Sequence, residues 1–356
     1  MPGGQERALR RRIRSIQSTK KITKAMELIA ASQIVRSLTR MTANRPYREG
    51  MARIVVEAAK GDPAAAEKLL GEPSERHAVV VLAIVADRGL AGAYNASTLR
   101  ATERLVADLG SRGIAVRLCT VGKKAPSYFR FRHQDVERSF QGMSGRPSWA
   151  DARSVAAAVS APFLAGEVEQ VLLVSTRYRS AGSQAVEVRQ LLPLPEPGHA
   201  AVTGAGEGAS AGAGEAPAGT AVPRAGEGPA PVQGSGAAPA GEPASGGYTE
   251  FEPDVETLLS RLAPRAVESE IFTAMLEGAA SFFTAQQRAM AAASENADEL
   301  VRTLTRIMNR ARQDAITTEI MEIVSGAEAL RQGAQREAAP IRKDSDLDQN
   351  AEERIA

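Results

Sequence analysis

The amino-acid sequence predicts an α/β protein built from a long antiparallel coiled coil of N- and C-terminal helices plus a small α/β domain. Three observations carry this: a proline-free stripe from Gly4 to Arg45, a second from Arg265 to about Leu330, and short β-branched runs between them.

In the first stretch Leu9, Ile13, Ile16, Met26, Ala30, Ile34 and Met41 recur at steps of three and four or their multiples, which is one face of a helix. Lys20 and Thr23 interrupt that stripe. Pro46 fits a boundary or kink, because its ring lacks an amide hydrogen and crowds the preceding turn. Helical pattern resumes and ends at Gly61-Asp62-Pro63, giving an N-terminal coiled-coil helix over residues 1–60.

Residues 76–195 change character: Ala78–Ala86, Ile114–Thr120, Val168–Ser175 and Ala185–Leu192 are short strand-like runs separated by helical stretches. Strands alternating with helices imply a largely parallel, Rossmann-like globular domain. Residues 196–247 reduce to Gly, Ala, Pro, Glu and Ser, which cannot offset ordering entropy by burial, so a disordered insertion is expected there.

The C-terminal coiled-coil helix is expected over 248–330, its stripe marked by Ile271, Met275, Ala279, Phe282, Ala289, Ala293, Leu300, Ile307 and Ala311. At about 1.5 Å per residue it approaches roughly 100 Å, too long to hide an apolar stripe alone. The comparable partner is the N-terminal helix, and the domain between them in sequence makes the pairing antiparallel. Ala279, Ala280, Ala289 and Ala291–Ala293 let the helices approach closely. The charged tail 331–356 carries no apolar period and reads as a solvated, disordered extension.

Composition narrows the function. Lys plus Arg (44) nearly balance Asp plus Glu (42), so no global field draws the chain to nucleic acid or anionic lipid. The only cysteine, Cys119, excludes an intrachain disulfide and suits a reducing, cytosolic setting. Ala78–Ala86, the longest apolar run, is far short of the roughly 20 residues that span a bilayer, so neither secretion nor membrane insertion is expected.

Asp87-Arg88-Gly89-Leu90-Ala91-Gly92-Ala93-Tyr94-Asn95 follows a strand and opens a helix, where a dinucleotide fold carries its phosphate loop, but its glycine spacing is wrong. Gly122-Lys123-Lys124 lacks the upstream glycine and the following hydroxyl of a phosphate loop. His77, His133 and His199 are scattered, with no ligand set at metal spacing. No catalytic residue, metal or cofactor is therefore expected, and an enzyme built on the α/β domain is the weaker reading.

The basic run Arg10, Arg11, Arg12, Arg14, then Lys20, Lys21 and Lys24, is more specific than the net charge. Lys20 and Lys24 share a helix face, where like charges repel unless an acidic partner is present. An acidic protein surface or nucleic acid could supply it, so a basic coiled-coil nucleic-acid-binding protein is the alternative function. Around Asn309 to Glu319 the other helix is dense in polar groups that call for donors and acceptors from another protein.

Ile13-Arg14-Ser15-Ile16-Gln17-Ser18-Thr19-Lys20-Lys21-Ile22-Thr23-Lys24-Ala25-Met26-Glu27, Ala30-Ala31-Ser32 and Arg45-Pro46-Tyr47 together resemble the opening of the gamma subunits of F-type ATP synthases. Ala311-Arg312-Gln313, Ala315-Ile316-Thr317, Glu319 and Glu322 to Ala327 are similar to that family's closing helix, and Asp87 to Asn95 to its Asp-Arg-Gly-Leu turn. Asp314 and Met308 depart, standing where the family commonly has a small residue and an aromatic.

The resemblance implies a central rotor shaft, without catalytic residues of its own, that transmits torque between a proton-driven c ring and an alpha/beta catalytic ring for ATP synthesis. It implies alpha and beta catalytic subunits, the epsilon subunit and the c ring as partners, no nucleic acid, and no direct membrane insertion. The implied location is the cytoplasmic face of the bacterial plasma membrane, peripherally. Carried onto this sequence, Arg312, Gln313, Thr317 and Glu319 contact catalytic-subunit loops, Met26 lies where the coil meets a beta-subunit lever, and Lys20, Lys21 and Lys24 face that lever's acidic segment.

Overall fold

A computed structural model describes residues 2–61, 76–194 and 255–337. The expected 196–247 insertion lies outside the described residues, as does the expected tail beyond Glu337. The elements in chain order are α1 (Pro2–Gly61), β1 (Ala78–Ile84), α2 (Tyr94–Ser111), β2 (Ala115–Val121), α3 (Lys124–Phe131), β3 (Arg138–Phe140), α4 (Trp149–Leu164), β4 (Gln170–Tyr178), β5 (Gln184–Leu192) and α5 (Val255–Glu337). Two compact units result, one of Met1–Glu27 with Met290–Ala356 and one of Leu28–Ala289.

The first unit is a helix pair. Its antiparallel sense is fixed by Lys20 opposite Asp298 and Thr23 opposite Ser294. Covered positions on α1 include Leu9, Ile13, Ile16, Lys20 and Thr23, and on α5 Met290, Ser294, Ala297, Val301, Leu304, Met308, Ala311 and Ala315. Both series alternate steps of four and three, the seam of a coiled coil. Two expected seam residues are corrected: Leu300 and Ile307 are 41% and 46% exposed, while Leu304 between them is buried. Lys20 and Thr23 stay on the seam because α5 answers each with a polar partner.

The second unit is a three-layer α/β body with helical arms. Its five-stranded sheet has the order β3-β2-β1-β4-β5, parallel except for β5, which runs antiparallel to β4. β1 is apolar and buried on both faces, as a central parallel strand must be. On one face, Val80, Leu82, Leu173 and Leu191 pack with Val155 and Val159 of α4, Val55 of α1, and Val267, Ile271 and Met275 of α5. On the other, Val79, Val81 and Val174 pack with Leu99 of α2 and Phe129 of α3. α4 opens on a capping box in which Ser148 and Asp151 satisfy each other's backbone amides.

The long helices keep close to the expected bounds, with one difference at the end of α5. α1 continues through Pro46, and α5 begins ahead of Pro264. α5 runs seven residues beyond Leu330, to Glu337, into the region expected to be a disordered tail. β3, only three residues and largely exposed, was not foreseen.

Candidate functional site

The eight residues singled out from sequence fall into two patches of the helix pair. Lys20, Lys21, Lys24 and Met26 lie within two turns of α1; Lys21 and Lys24 are exposed, and Lys20 and Met26 are half-buried. Lys20 Nζ donates to Asp298 Oδ1 at 2.5 Å, and Lys24 Nζ to both oxygens of Glu27 at 2.9 and 3.0 Å. The acidic partner that Lys20 and Lys24 call for is supplied here by Asp298 and Glu27 of the chain itself. Exposed pairs of this kind contribute little, about 0.2–1 kcal/mol, so both ammoniums can be exchanged to a partner at small cost.

Arg312, Gln313, Thr317 and Glu319 are all exposed on α5, and the Thr317 hydroxyl donates back to the Gln313 carbonyl at 2.9 Å. Arg312 lies fourteen residues beyond Asp298 on the helix, roughly 20 Å at about 1.5 Å per residue, so the two patches are separate. Carrying the register onward sets Pro2 opposite Ala315–Ile316, and from Ile316 to Arg331 every α5 residue is exposed. Ile316, Ile320, Met321, Ile323, Val324 and Leu330 are thus large apolar side chains uncovered among the described residues. Such a surface marks an interaction site.

The α/β body fills its own ligand positions. In a doubly wound sheet the crevice lies at the carboxyl ends of the strands where the order reverses, here between β1 and β4. Tyr94 occupies that place, packed edge-on against Phe282 of α5 at 5.7 Å between ring centroids. Gly278 makes room for it: a Cβ there would stand 3.1 Å from the Tyr94 hydroxyl. Burial pushes the Tyr94 phenol up, against a hydrogen bond from Thr176 that lowers it, so it stays protonated.

In the Gly122–Lys124 turn one backbone donor is already taken by a side chain of the body, that of Asp87. Asp87 Oδ1 accepts from the Lys123 and Gly142 amides at 3.1 and 2.9 Å, and Oδ2 from the Ser144 amide and hydroxyl at 3.1 and 2.7 Å. Partial burial works to raise the Asp87 pKa, yet the hydrogen bonds from Gly142, Ser144 and Lys123 outweigh it and hold the carboxyl below its ordinary value. The Cys119 thiol is pushed up to about 11 by burial and by Glu137, which leaves it protonated and unreactive at neutral pH. Among the described residues no group of three or more His, Cys, Asp or Glu could hold a metal.

Sequence reasoning missed Ser294, Asp298 and the Asp87 partners. The first two are detectable only once the antiparallel register is known, and the last lie 36 and 55–57 residues from Asp87 along the chain.

A family model described as ATP synthase matches residues 5–330, almost the whole described chain. The chain belongs to the ATP synthase gamma family.

It is 42% identical over 335 residues to the ATP synthase gamma chain of Parafrankia sp. (strain EAN1pec), covering 93% of this chain and 99% of that one. Against the gamma chain of Streptomyces coelicolor it is 36% identical over 332 residues, covering 92% and 97%. In fold it is similar to a chain of the Euglena gracilis mitochondrial ATP synthase, with TM-score 0.57, 15% identity, and 96% and 98% of the chains covered. A Tetrahymena thermophila mitochondrial ATP synthase chain, from a structure of its central stalk and c-ring, gives TM-score 0.52 at 20% identity over 77% and 99%.

A gamma chain is the central stalk of F-type ATP synthase and a non-catalytic subunit of that rotary enzyme. That role replaces the nucleic-acid reading of the basic run. The gamma chain belongs to the F1 part, peripheral to the membrane, and none of its described helices is long and apolar enough to cross one.

Proposed function

We propose that the two patches of the helix pair are the surfaces by which this gamma chain acts on its catalytic ring. Arg312, Gln313, Thr317 and Glu319 contact loops of the alpha and beta catalytic subunits, Met26 meets a beta-subunit lever, and Lys20, Lys21 and Lys24 exchange their own carboxylates for that lever's acidic segment. The epsilon subunit and the c ring hold the α/β body, at the cytoplasmic face of the bacterial plasma membrane. The observation that best supports this is the run Ile316–Arg331, an amphipathic helix whose apolar side chains are uncovered among the described residues.

Such a shaft has a physical task. Three chemically equal sites differ in affinity only if something asymmetric binds each differently, and two helices off a three-fold axis provide that asymmetry. The test is ATP turnover of the reconstituted complex carrying Lys24→Ala or Gln313→Ala. Turnover is expected to change while nucleotide affinity at the first site does not; unchanged coupling in both variants contradicts the assigned contacts. Co-purification with alpha, beta, epsilon and c subunits tests the partners themselves.

A further inference from the structure

Within the unit Leu28–Ala289, apolar packing holds the sheet against α1 and α5, and the hydrophobic effect behind it is non-directional. One charged network crosses the same interface. Arg189 of β5 is 4% exposed, and its Nη2 lies 3.4 Å from Glu277 Oε2 of α5 and 3.3 Å from Ser175 Oγ of β4. Its Nη1 lies 3.5 Å from Glu270 Oε2, whose other oxygen accepts from Arg48 Nε of α1 at 2.7 Å. Asn44 Nδ2 of α1 donates to Thr273 Oγ1 one turn away at 2.9 Å.

Glu277 is itself buried, and burial raises its carboxyl pKa against the pull of Arg189, Arg48 and Arg177. A buried charge set of this kind adds little net stability; its better-attested use is to fix one register among alternatives. Glu270 is the joint, because among the described residues it alone pairs with both a helix α1 cation and the strand β5 cation.

We propose that Arg48, Glu270, Arg189 and Glu277 form a register lock through which torque passes between the α/β body and its helical arms, with Arg189 as the positioning residue. This rests on the rotary role of the chain. Without the lock the enzyme still assembles and hydrolyses ATP, but the sheet slips against the helices when rotation works against a load.

The test uses whole ATP synthase in sealed vesicles, with Arg189→Met, Arg189→Lys or Glu277→Gln in this chain. ATP hydrolysis and ATP-driven proton uptake are read on the same samples, with subunit co-purification as the check on assembly. Protons taken up per ATP are expected to fall about threefold or more in Arg189→Met and Glu277→Gln, in line with couplings between contacting residues, and to fall further as the opposing gradient grows. Arg189→Lys, a point charge that cannot span both carboxylates, gives an intermediate loss and keeps the test decisive if the other variants do not assemble. A ratio equal to that of the unsubstituted enzyme at every gradient, in any variant that assembles, overturns the lock. Absence of proton uptake in the unsubstituted complex would instead count against the rotary role.

Discussion

Lys20 of α1 reaches across the helix pair to Asp298 of α5, nitrogen to oxygen at 2.5 Å. The cation that interrupts the apolar stripe of one helix is thus met by an anion of the other, in the antiparallel sense that the order of the helices and the domain along the chain implied.

Because both side chains are partly exposed, the pair adds about 0.2–1 kcal/mol and no more. A double-mutant cycle of Lys20→Met and Asp298→Leu, read by circular dichroism melts of the full chain, is expected to give a coupling in that range that shrinks at high salt. A coupling of several kcal/mol would show the pair to be desolvated.

Thr23 and Ser294 share a hydrogen bond of 2.7 Å at the next seam layer, and Ser294, which is buried, also donates to the Met290 carbonyl at 2.9 Å. Thr23→Val is expected to cost about 1 kcal/mol or less, since the Ser294 hydroxyl keeps one partner. Thr23→Val with Ser294→Ala removes both polar groups and should be near neutral in the same melts; a loss above about 3 kcal/mol would contradict this.

The seam also shows what periodicity could and could not provide. Ile13, Ala30 and Ile271 are buried as expected, because each sits on a face whose period is set by helix geometry alone. Leu300 and Ile307 are exposed because α5 turns Val301, Leu304 and Met308 to its partner instead, and side chains of similar hydrophobicity one residue apart cannot be ranked without the partner's register. β3 went unseen since Arg138-Ser139-Phe140 has no apolar alternation and pairs only at a sheet edge. Pro46 and Pro264 sit within helices because tertiary packing outweighs the loss of one backbone donor. Neither the Asp87 hub nor the Arg189 network has a local signature, because their members meet only after the sheet has formed.

Asp87 ties the ends of β1 and β2 to the loop after β3 through four accepted hydrogen bonds. Its carboxyl titrates below the ordinary value of 3.8, so its contribution is present above that pH and is lost as pH falls through the folded-state value. Asp87→Asn should therefore lower stability by about 2 kcal/mol near neutral pH and flatten the acid limb of the stability profile below about pH 4. An unchanged acid limb in urea titrations from pH 7 to 3 would show that Asp87 is not the titrating group.

Gly122 has φ of 101°, and a Cβ there would meet the Val85 carbonyl oxygen at 2.3 Å. Gly122→Ala combines left-handed strain with a backbone clash, and is expected to cost at least about 3 kcal/mol or to prevent soluble expression. Wild-type melting behaviour would contradict this placement of the turn after β2.

Rotation of the α/β body in the working enzyme is the central claim, and it can be watched. Cys119 is the only cysteine and is buried, so Ser127→Cys, exposed on α3, offers a selectively labelled site. With the catalytic ring fixed to a surface and a visible probe on that thiol, addition of ATP should turn the probe continuously in one direction. A probe that stays still while the same complexes hydrolyse ATP would contradict the account.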